Sequence, residues 1–126
     1  MAIEVVRTSG LSRSFDGRPA VDDLTIVVHA GEVLGLLGPN GAGKTTTFRM
    51  LAALLLPTRG EVMVGGTRLT PMTADRVRSR VGLLTEAPGL WERLTVRANL
   101  LTYARLHWVP DEERRVTTLM QMVGMT

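Results

Sequence analysis

The sequence has no cysteine, a single lysine, and aromatic side chains at only 4% of its 126 positions. The lack of cysteine excludes disulfides and thiolate metal sites. No apolar run approaches the roughly 20 residues that span a bilayer, and residues 1–4 lack the basic and apolar regions of a secretory signal peptide. We therefore expect a soluble globular chain, about one domain in length, that stays inside the cell.

The charge balance is slightly basic, with fourteen arginines and one lysine against twelve acidic residues, for a formal net charge of +3. The arginines are scattered, and only Arg76, Arg78 and Arg80 come close to a cluster. Such a short run is more typical of a solvated face than of a nucleic-acid site. We therefore expect no nucleic-acid partner.

The single lysine, Lys44, lies in a glycine-rich segment that fits the pattern G-x-x-x-x-G-K-[ST] in full. Glycines let backbone N–H groups approach phosphate oxygens, and the positive end of a following helix attracts the same anion. We expect Lys44 to act as the catalytic lysine that bridges β- and γ-phosphates, Thr45 to ligate Mg²⁺, and the Thr46 N–H to lie near the α-phosphate. The whole predicted phosphate-binding loop comprises Gly38, Pro39, Asn40, Gly41, Ala42, Gly43, Lys44, Thr45 and Thr46.

The segments around this loop predict the context that phosphate binding requires. β-Branched residues favour strands over 3–8 and 24–28, and the apolar run 32–37 is typical of a strand buried on both faces. After the loop, helical spacing predicts a helix over 45–56 that Pro57 ends. Strand, glycine loop and helix favour a phosphate site over the alternative, a tight turn without a ligand.

Several further segments resemble the ATP-binding subunit of ABC transporters, in the right order and over essentially the whole chain. Residues 11–15 are similar to the family segment that ends in an aromatic residue stacked on adenine. Loop residues 39–42 have the amino acids that the family uses at these variable positions. The other matching segments are 21–26, 30–32, 51–52, 57–62, 65–66 and 81–86, the last resembling the strand that leads to the lid between the two subdomains.

This resemblance implies an α/β fold: a P-loop NTPase core of the ABC type, with an N-terminal antiparallel β subdomain and the start of a helical subdomain. Residues 1–126 would be the N-terminal part of one ATP-binding domain, and therefore incomplete. Within it, residues 1–86 would form the β subdomain and P-loop core, and residues 87–126 the start of the helical subdomain.

The resemblance also implies the cofactors ATP and Mg²⁺. Phe15 would stack on adenine, a role favoured over that of a core residue by its position beside the Asp16-Gly17 turn. Glu86 stands where the family usually has a glutamine that touches the metal, so Thr45 and Glu86 are the implied metal ligands. The alternative for Glu86 is a merely exposed acid.

In the helical part, Thr95 is a plausible N-cap for a helix running to Leu106, and a last helix is expected over 111–123. The family commonly has a glutamate where this chain has Ala98. Trp91 is a candidate contact for a partner, with ordinary helix packing as the alternative. The resemblance implies transmembrane transporter subunits and a second ATP-binding subunit as partners, at the cytoplasmic face of the cell membrane.

In the family, a signature segment, a Walker B aspartate and a catalytic glutamate follow the helical region, and here they would lie beyond Thr126. ATP hydrolysis is therefore implied for the full-length protein only. Residues 85–89 resemble exporter-type ATPases. The alternatives are a nucleotide-binding remnant without turnover and an ABC-type ATPase of translation or DNA maintenance.

Overall fold

A computed structural model describes residues 2–39, 41–87 and 89–125 of the chain. These residues form two compact units, one over residues 1–83 and the other over residues 84–126. The first contains a β-sheet with two short helices, and the second contains a pair of helices. The predicted subdomain boundary after residue 86 stays a prediction, because compactness alone does not assign subdomains.

The sheet of the first unit is antiparallel throughout and centres on its longest strand, β1. One edge of β1 pairs with β2 and β3, and the other edge pairs with β4, which in turn pairs with β5. The strands are β1 (Glu4–Phe15), β2 (Arg18–Leu24), β3 (Val27–His29), β4 (Arg59–Val64) and β5 (Thr67–Arg68). The predicted N-terminal antiparallel sheet is present, with a first strand longer than the expected 3–8.

The strand predicted over 24–28 is wrong as a single element, because it is divided between β2 and β3. Asp23 has a left-handed φ of 55°, which bends the chain at this point. The buried Thr8 hydroxyl takes the place of the strand-to-strand hydrogen bonds that are missing at this break. It donates to the Leu24 carbonyl at 2.9 Å and accepts from the Ile26 N–H at 3.0 Å. A side chain of β1 therefore satisfies the backbone groups that the interruption leaves open.

The core of this unit lies between the sheet and its two helices, α1 (Lys44–Leu51) and α2 (Ala74–Arg78). Four side chains in it, from β1, α1, β4 and α2, are 0% exposed. Burying each contributes about 1.5–3 kcal/mol relative to an exposed position. They are Leu11, Met50, Val62 and Val77.

Helix α1 ends at Leu51, five residues before the predicted end at Leu56. The helix stops because Ala53 adopts a left-handed φ of 58°, and the Leu54 N–H turns back to the Arg49 carbonyl at 2.9 Å. Many helices end with a residue in this left-handed conformation, although glycine is the usual residue at that position. Helix propensity alone favours continuing through Ala53, so this early end could not be predicted from the local sequence.

The strand predicted over 32–37 is wrong, and so is the strand expected from the resemblance over 81–86. Neither segment pairs with any strand in the described part of the chain, and Val33 and Leu37 are each 96% exposed, with Leu84 at 90%. A strand of this apolar kind needs neighbours on both edges to satisfy its backbone groups. Without such neighbours the apolar run has no ladder to join.

The second unit is a pair of helices, α3 (Val96–Leu106) and α4 (Glu112–Met122), close to the two predicted helices. Thr95 caps α3 as expected, since its side chain accepts from the Ala98 N–H at 3.1 Å. Arg97 contacts Thr117, and Arg105 contacts Glu112, so the helices run antiparallel. Neither these helices nor any other in the described ranges is long and apolar enough to cross a membrane.

Candidate nucleotide-binding site

The predicted phosphate-binding loop leads directly into α1, which begins at Lys44. The N-cap is Gly43, with a left-handed φ of 89°, and the first turn of the helix contains no acidic residue. Helix geometry leaves the first N–H groups of α1 without intrahelical acceptors, and the helix dipole makes this end positive. The loop therefore ends in an uncompensated positive helix terminus, which favours an anion. Asn40 of the predicted loop lies outside the described residues.

Gly43 lies directly against strand β2. A Cβ at this position would be 2.2 Å from the Ala20 carbonyl oxygen and 3.1 Å from Val21 Cγ2. The first distance is shorter than any real Cβ contact with backbone. Only glycine fits here, because both the left-handed φ and the close approach exclude a side chain. The end of the loop is therefore packed on the β1–β2 hairpin.

Two side chains of α1 hold the loop closed. The Lys44 ammonium donates to the Gly38 carbonyl, and the Thr47 hydroxyl donates to the Gly43 carbonyl at 2.9 Å. Thr47 is only 2% exposed, so its hydroxyl belongs to the loop's internal structure. A lysine ammonium has three donors, so Lys44 keeps two for phosphate oxygens while it contacts Gly38.

Thr45 differs from Thr47 in having an exposed side chain, and its hydroxyl has no hydrogen-bond partner among the described residues. A free hydroxyl at the second position after Gly43 fits a ligand of Mg²⁺, which takes few protein oxygens and keeps several waters. Among the described residues no group of three or more His, Asp or Glu side chains is placed to hold a metal. The roles of Thr45 and Thr46 stay predictions.

Phe15 ends β1 just before the Asp16-Gly17 turn, and it is 44% exposed, so it is not a core residue. Across the hairpin it pairs with Arg18. Ala20 lies two residues further along β2, at a register shift between Pro19 and Val21. Because the Ala20 carbonyl lies against Gly43, the hairpin brings the Phe15 ring and the phosphate-binding loop to the same part of the unit.

Glu86 belongs to the second unit, where it is exposed and lies in a bend beside Ala87. The neighbouring Thr85 hydroxyl donates to the Ala87 carbonyl, which shapes this bend. Pro88, the next residue, lies outside the described part of the chain. The predicted role of Glu86 as a metal ligand remains a prediction.

The loop before α3 contains Trp91, which is 46% exposed. The centroid of its ring lies 5.3 Å from the centroid of the Tyr103 ring. The buried Asn99 side chain holds this loop by its backbone. Its Oδ1 accepts from the Trp91 N–H at 2.8 Å, and its Nδ2 donates to the carbonyls of Trp91 and Thr95 at 3.1 and 3.0 Å. Asn99 therefore fixes the position from which Trp91 reaches solvent.

Replacing Asn99 with alanine should free this loop, because four backbone groups, on Trp91, Leu94 and Thr95, lose their side-chain partner. We expect the second unit to lose about 1–3 kcal/mol of stability. Collisional quenching of Trp91 fluorescence should increase, measured with Trp108 replaced by phenylalanine. Thr102→Val is the matched control, since it removes one hydroxyl bond from the same helix, to Ala98. Equal quenching in the Asn99 and Thr102 variants would contradict the role of Asn99.

Sequence reasoning missed three residues that shape these sites: Arg13, Thr47 and Asn99. Arg13 lies two residues before Phe15 on the same strand, and the period of two places both on one face. Thr47 lies four residues after Gly43, the spacing at which a threonine hydroxyl reaches back to a helical carbonyl. The signals for Arg13 and Thr47 can be recognised in the sequence once the strand and the helix are known. Asn99 has no comparable local signal.

The family model and the similar proteins all point to the same protein family. The sequence profile of the family described as "ABC transporter" matches residues 21–126 of this chain. The chain is 35% identical over 121 residues to a bacitracin transport ATP-binding protein of Bacillus licheniformis, covering 96% of this chain and 39% of that protein. It is 44% identical over 112 residues to a daunorubicin/doxorubicin resistance ATP-binding protein of Streptomyces peucetius, covering 86% of this chain and 34% of the relative.

Solved structures agree with this assignment. The ATP-binding subunit of an ABC transporter superposes with a TM-score of 0.77 at 32% identity, over 93% of this chain and 49% of that chain. A dimeric ATP-binding cassette bound to ADP and phosphate has the same fold, with a TM-score of 0.79 at 19% identity, over 96% of this chain and 58% of that one. The chain thus spans between one third and three fifths of the length of these relatives.

These matches confirm the predicted α/β fold of the P-loop NTPase kind and the resemblance on which it rested. Every match described above covers more than two thirds of this chain. The chain belongs to the ABC transporter family of ATP-binding proteins.

Proposed function

We propose that this chain binds Mg²⁺–ATP, with its triphosphate in the loop 38–46 and its adenine on Phe15. The observation that carries the proposal is the packing of Gly43 on Ala20, which brings a positive helix end beside the hairpin that carries Phe15. A single bound nucleotide would contact both. Lys44 would contact the β- and γ-phosphates, and Thr45 would be the loop's metal ligand. Glu86 would be the second metal ligand.

In the whole protein, we propose that ATP bound here drives transport, with hydrolysis requiring residues outside this chain. Bound Mg²⁺ would neutralise charge that develops on the phosphates during that reaction. Relatives named for bacitracin transport and for daunorubicin/doxorubicin resistance support the export of a small toxic molecule. Transmembrane subunits, a second ATP-binding subunit and a position at the cytoplasmic face of the membrane complete this proposal. Residues 1–86 would be its β subdomain and P-loop core, and residues 87–126 the start of its helical subdomain.

Calorimetric titration of the purified 126-residue chain tests the binding proposal. We expect ATP with Mg²⁺ to bind more tightly than ADP, and AMP to bind far more weakly, because most contacts are made to the β- and γ-phosphates. Equal binding of ATP and AMP would contradict a site centred on the phosphate-binding loop. Measuring phosphate release in the same samples separates binding alone from turnover.

The Thr45 hydroxyl gives a prediction specific to the metal. Thr45→Val keeps the side-chain shape and removes the oxygen, so it should reduce the gain in ATP affinity that Mg²⁺ provides. Affinity for ATP in excess chelator should not change. Thr118→Val is the control, since the Thr118 hydroxyl donates to the Arg114 carbonyl within α4 and to no other group among the described residues. An equal loss with and without Mg²⁺ in the Thr45 variant would contradict the metal-ligand role.

A further inference from the structure

The Phe15 ring has a cationic partner on one face. The Arg13 guanidinium lies over the ring, with its central carbon 4.9 Å from the ring centroid. This is within the range of a favourable cation–π contact, and a planar guanidinium can lie over an aromatic ring. Phe15 is nevertheless 44% exposed, so the ring keeps accessible surface that Arg13 does not cover.

Arg13 is itself held in place from behind. Its Nη1 donates to the Leu56 carbonyl at 2.7 Å, in the segment that joins α1 to β4. Its Nε is buried and has no hydrogen-bond partner among the residues that the structure describes. A buried, unsatisfied donor is unfavourable, so hydrogen bonds alone do not explain where this guanidinium lies. The contact with the aromatic ring offsets that cost.

A ring held on one face is suited to stacking on the other. Phe15 ends a strand beside a turn, where an unsupported side chain would sample several rotamers and lose that freedom when a ligand binds. The guanidinium removes this freedom in advance. Its charge also draws π-density toward the covered face, which makes the open face a better partner for an electron-rich purine.

We propose that Arg13 is a positioning residue for the nucleobase: it clamps the Phe15 ring between its guanidinium and the incoming adenine, and anchors the pair to the Leu56 carbonyl behind α1. The inference rests on the proposed function, because it assigns the base-binding part of that same site. It predicts that Arg13 contributes to the recognition of the base and not to the recognition of the phosphates.

Calorimetry with two probes tests this, ATP and inorganic tripolyphosphate, each with Mg²⁺. Tripolyphosphate carries the phosphates without a base. Arg13→Gln should weaken ATP binding roughly threefold to tenfold and leave tripolyphosphate binding unchanged. Phe15→Ala should have the same selectivity, and the double variant should bind ATP no more weakly than Phe15→Ala alone, because Arg13 acts through the ring. Arg13→Lys, which keeps the charge without the planar fork, should fall between Arg13→Gln and the wild type.

The matched control is Arg68→Gln, which removes an arginine that pairs with Glu61 on β4 and is 60% exposed. It should change neither titration, and circular dichroism should show that every variant keeps its fold. Equal losses of ATP and tripolyphosphate affinity in Arg13→Gln would overturn the inference, as would additive effects of Arg13→Gln and Phe15→Ala. Unchanged ATP binding in Arg13→Gln would do so too. A wild-type chain that binds neither probe would instead refute the proposed function and the inference with it.

Discussion

Replacing Lys44 with alanine is expected to weaken ATP binding by roughly tenfold to a hundredfold, the largest effect of any single side chain in the loop. A hydrogen bond to a charged group contributes about 1.5–3 kcal/mol, which corresponds to that range of affinities. Unlike the loss at Arg13, this loss should also appear with tripolyphosphate, because the phosphates are the only part of the nucleotide that Lys44 contacts in the proposed complex. Calorimetry with both ligands measures it.

Arg49→Ala is the matched control for Lys44→Ala, because it removes one positive charge from an exposed position on the same helix. Its effect on ATP affinity should stay small, since exposed charges away from the phosphates are screened by salt. Lys44→Arg should also bind poorly, because a rigid fork does not replace a compact ammonium inside a closed loop. Equal losses in the Lys44 and Arg49 alanine variants would show that Lys44 acts only through net charge.

Replacing Gly43 with alanine is expected to abolish ATP binding and to destabilise the first unit by about 2–5 kcal/mol. Two costs add at this position. An alanine pays for the left-handed φ of 89°, and its Cβ would lie 2.2 Å from the Ala20 carbonyl oxygen. Backbone cannot rotate out of the way, so the loop and β2 must separate. Thermal unfolding and calorimetric titration measure the two effects.

Gly31→Ala separates the two costs. Gly31 has a similar left-handed φ of 78°, but a Cβ there would meet nothing within 4 Å. This variant should show the conformational cost alone, about 1–2 kcal/mol, and should keep its ATP affinity. If Gly43→Ala were no more destabilising than Gly31→Ala, the contact between the loop and the hairpin would not hold the loop in place.

The phosphate-binding loop was predictable because its chemistry is local. The glycine spacing, Lys44 and the threonines that follow act within one turn of chain and helix, so consecutive residues carry the whole signal. The Thr95 cap and the two helices of the second unit were predictable for the same reason. What the pattern did not contain was the support behind the loop. Ala20 has no distinctive side chain, and its carbonyl contributes through position alone.

The elements that sequence reasoning placed wrongly depend on distant parts of the chain. The apolar run 32–37 has the composition of a buried strand, but a strand exists only where another strand pairs with it. The bend at Asp23 depends on Thr8, fifteen positions earlier, whose hydroxyl satisfies the interrupted backbone. The early end of α1 depends on a left-handed Ala53, a conformation that alanine seldom adopts, and the distant Arg78 Nη1 donates to the Ala53 carbonyl at 2.7 Å.

The closed loop around Lys44 also gives the chain a single point of enzymatic cleavage. Lys44 is the one lysine in the sequence, so an endoproteinase that cuts only after lysine has one peptide bond to attack, at the first turn of α1. Cutting there would separate residues 1–44 from residues 45–126. A protease must open the backbone that it cleaves, and here the Lys44 side chain is engaged by the Gly38 carbonyl. The rate of that single cut reports how often the loop opens, without a label or a substitution.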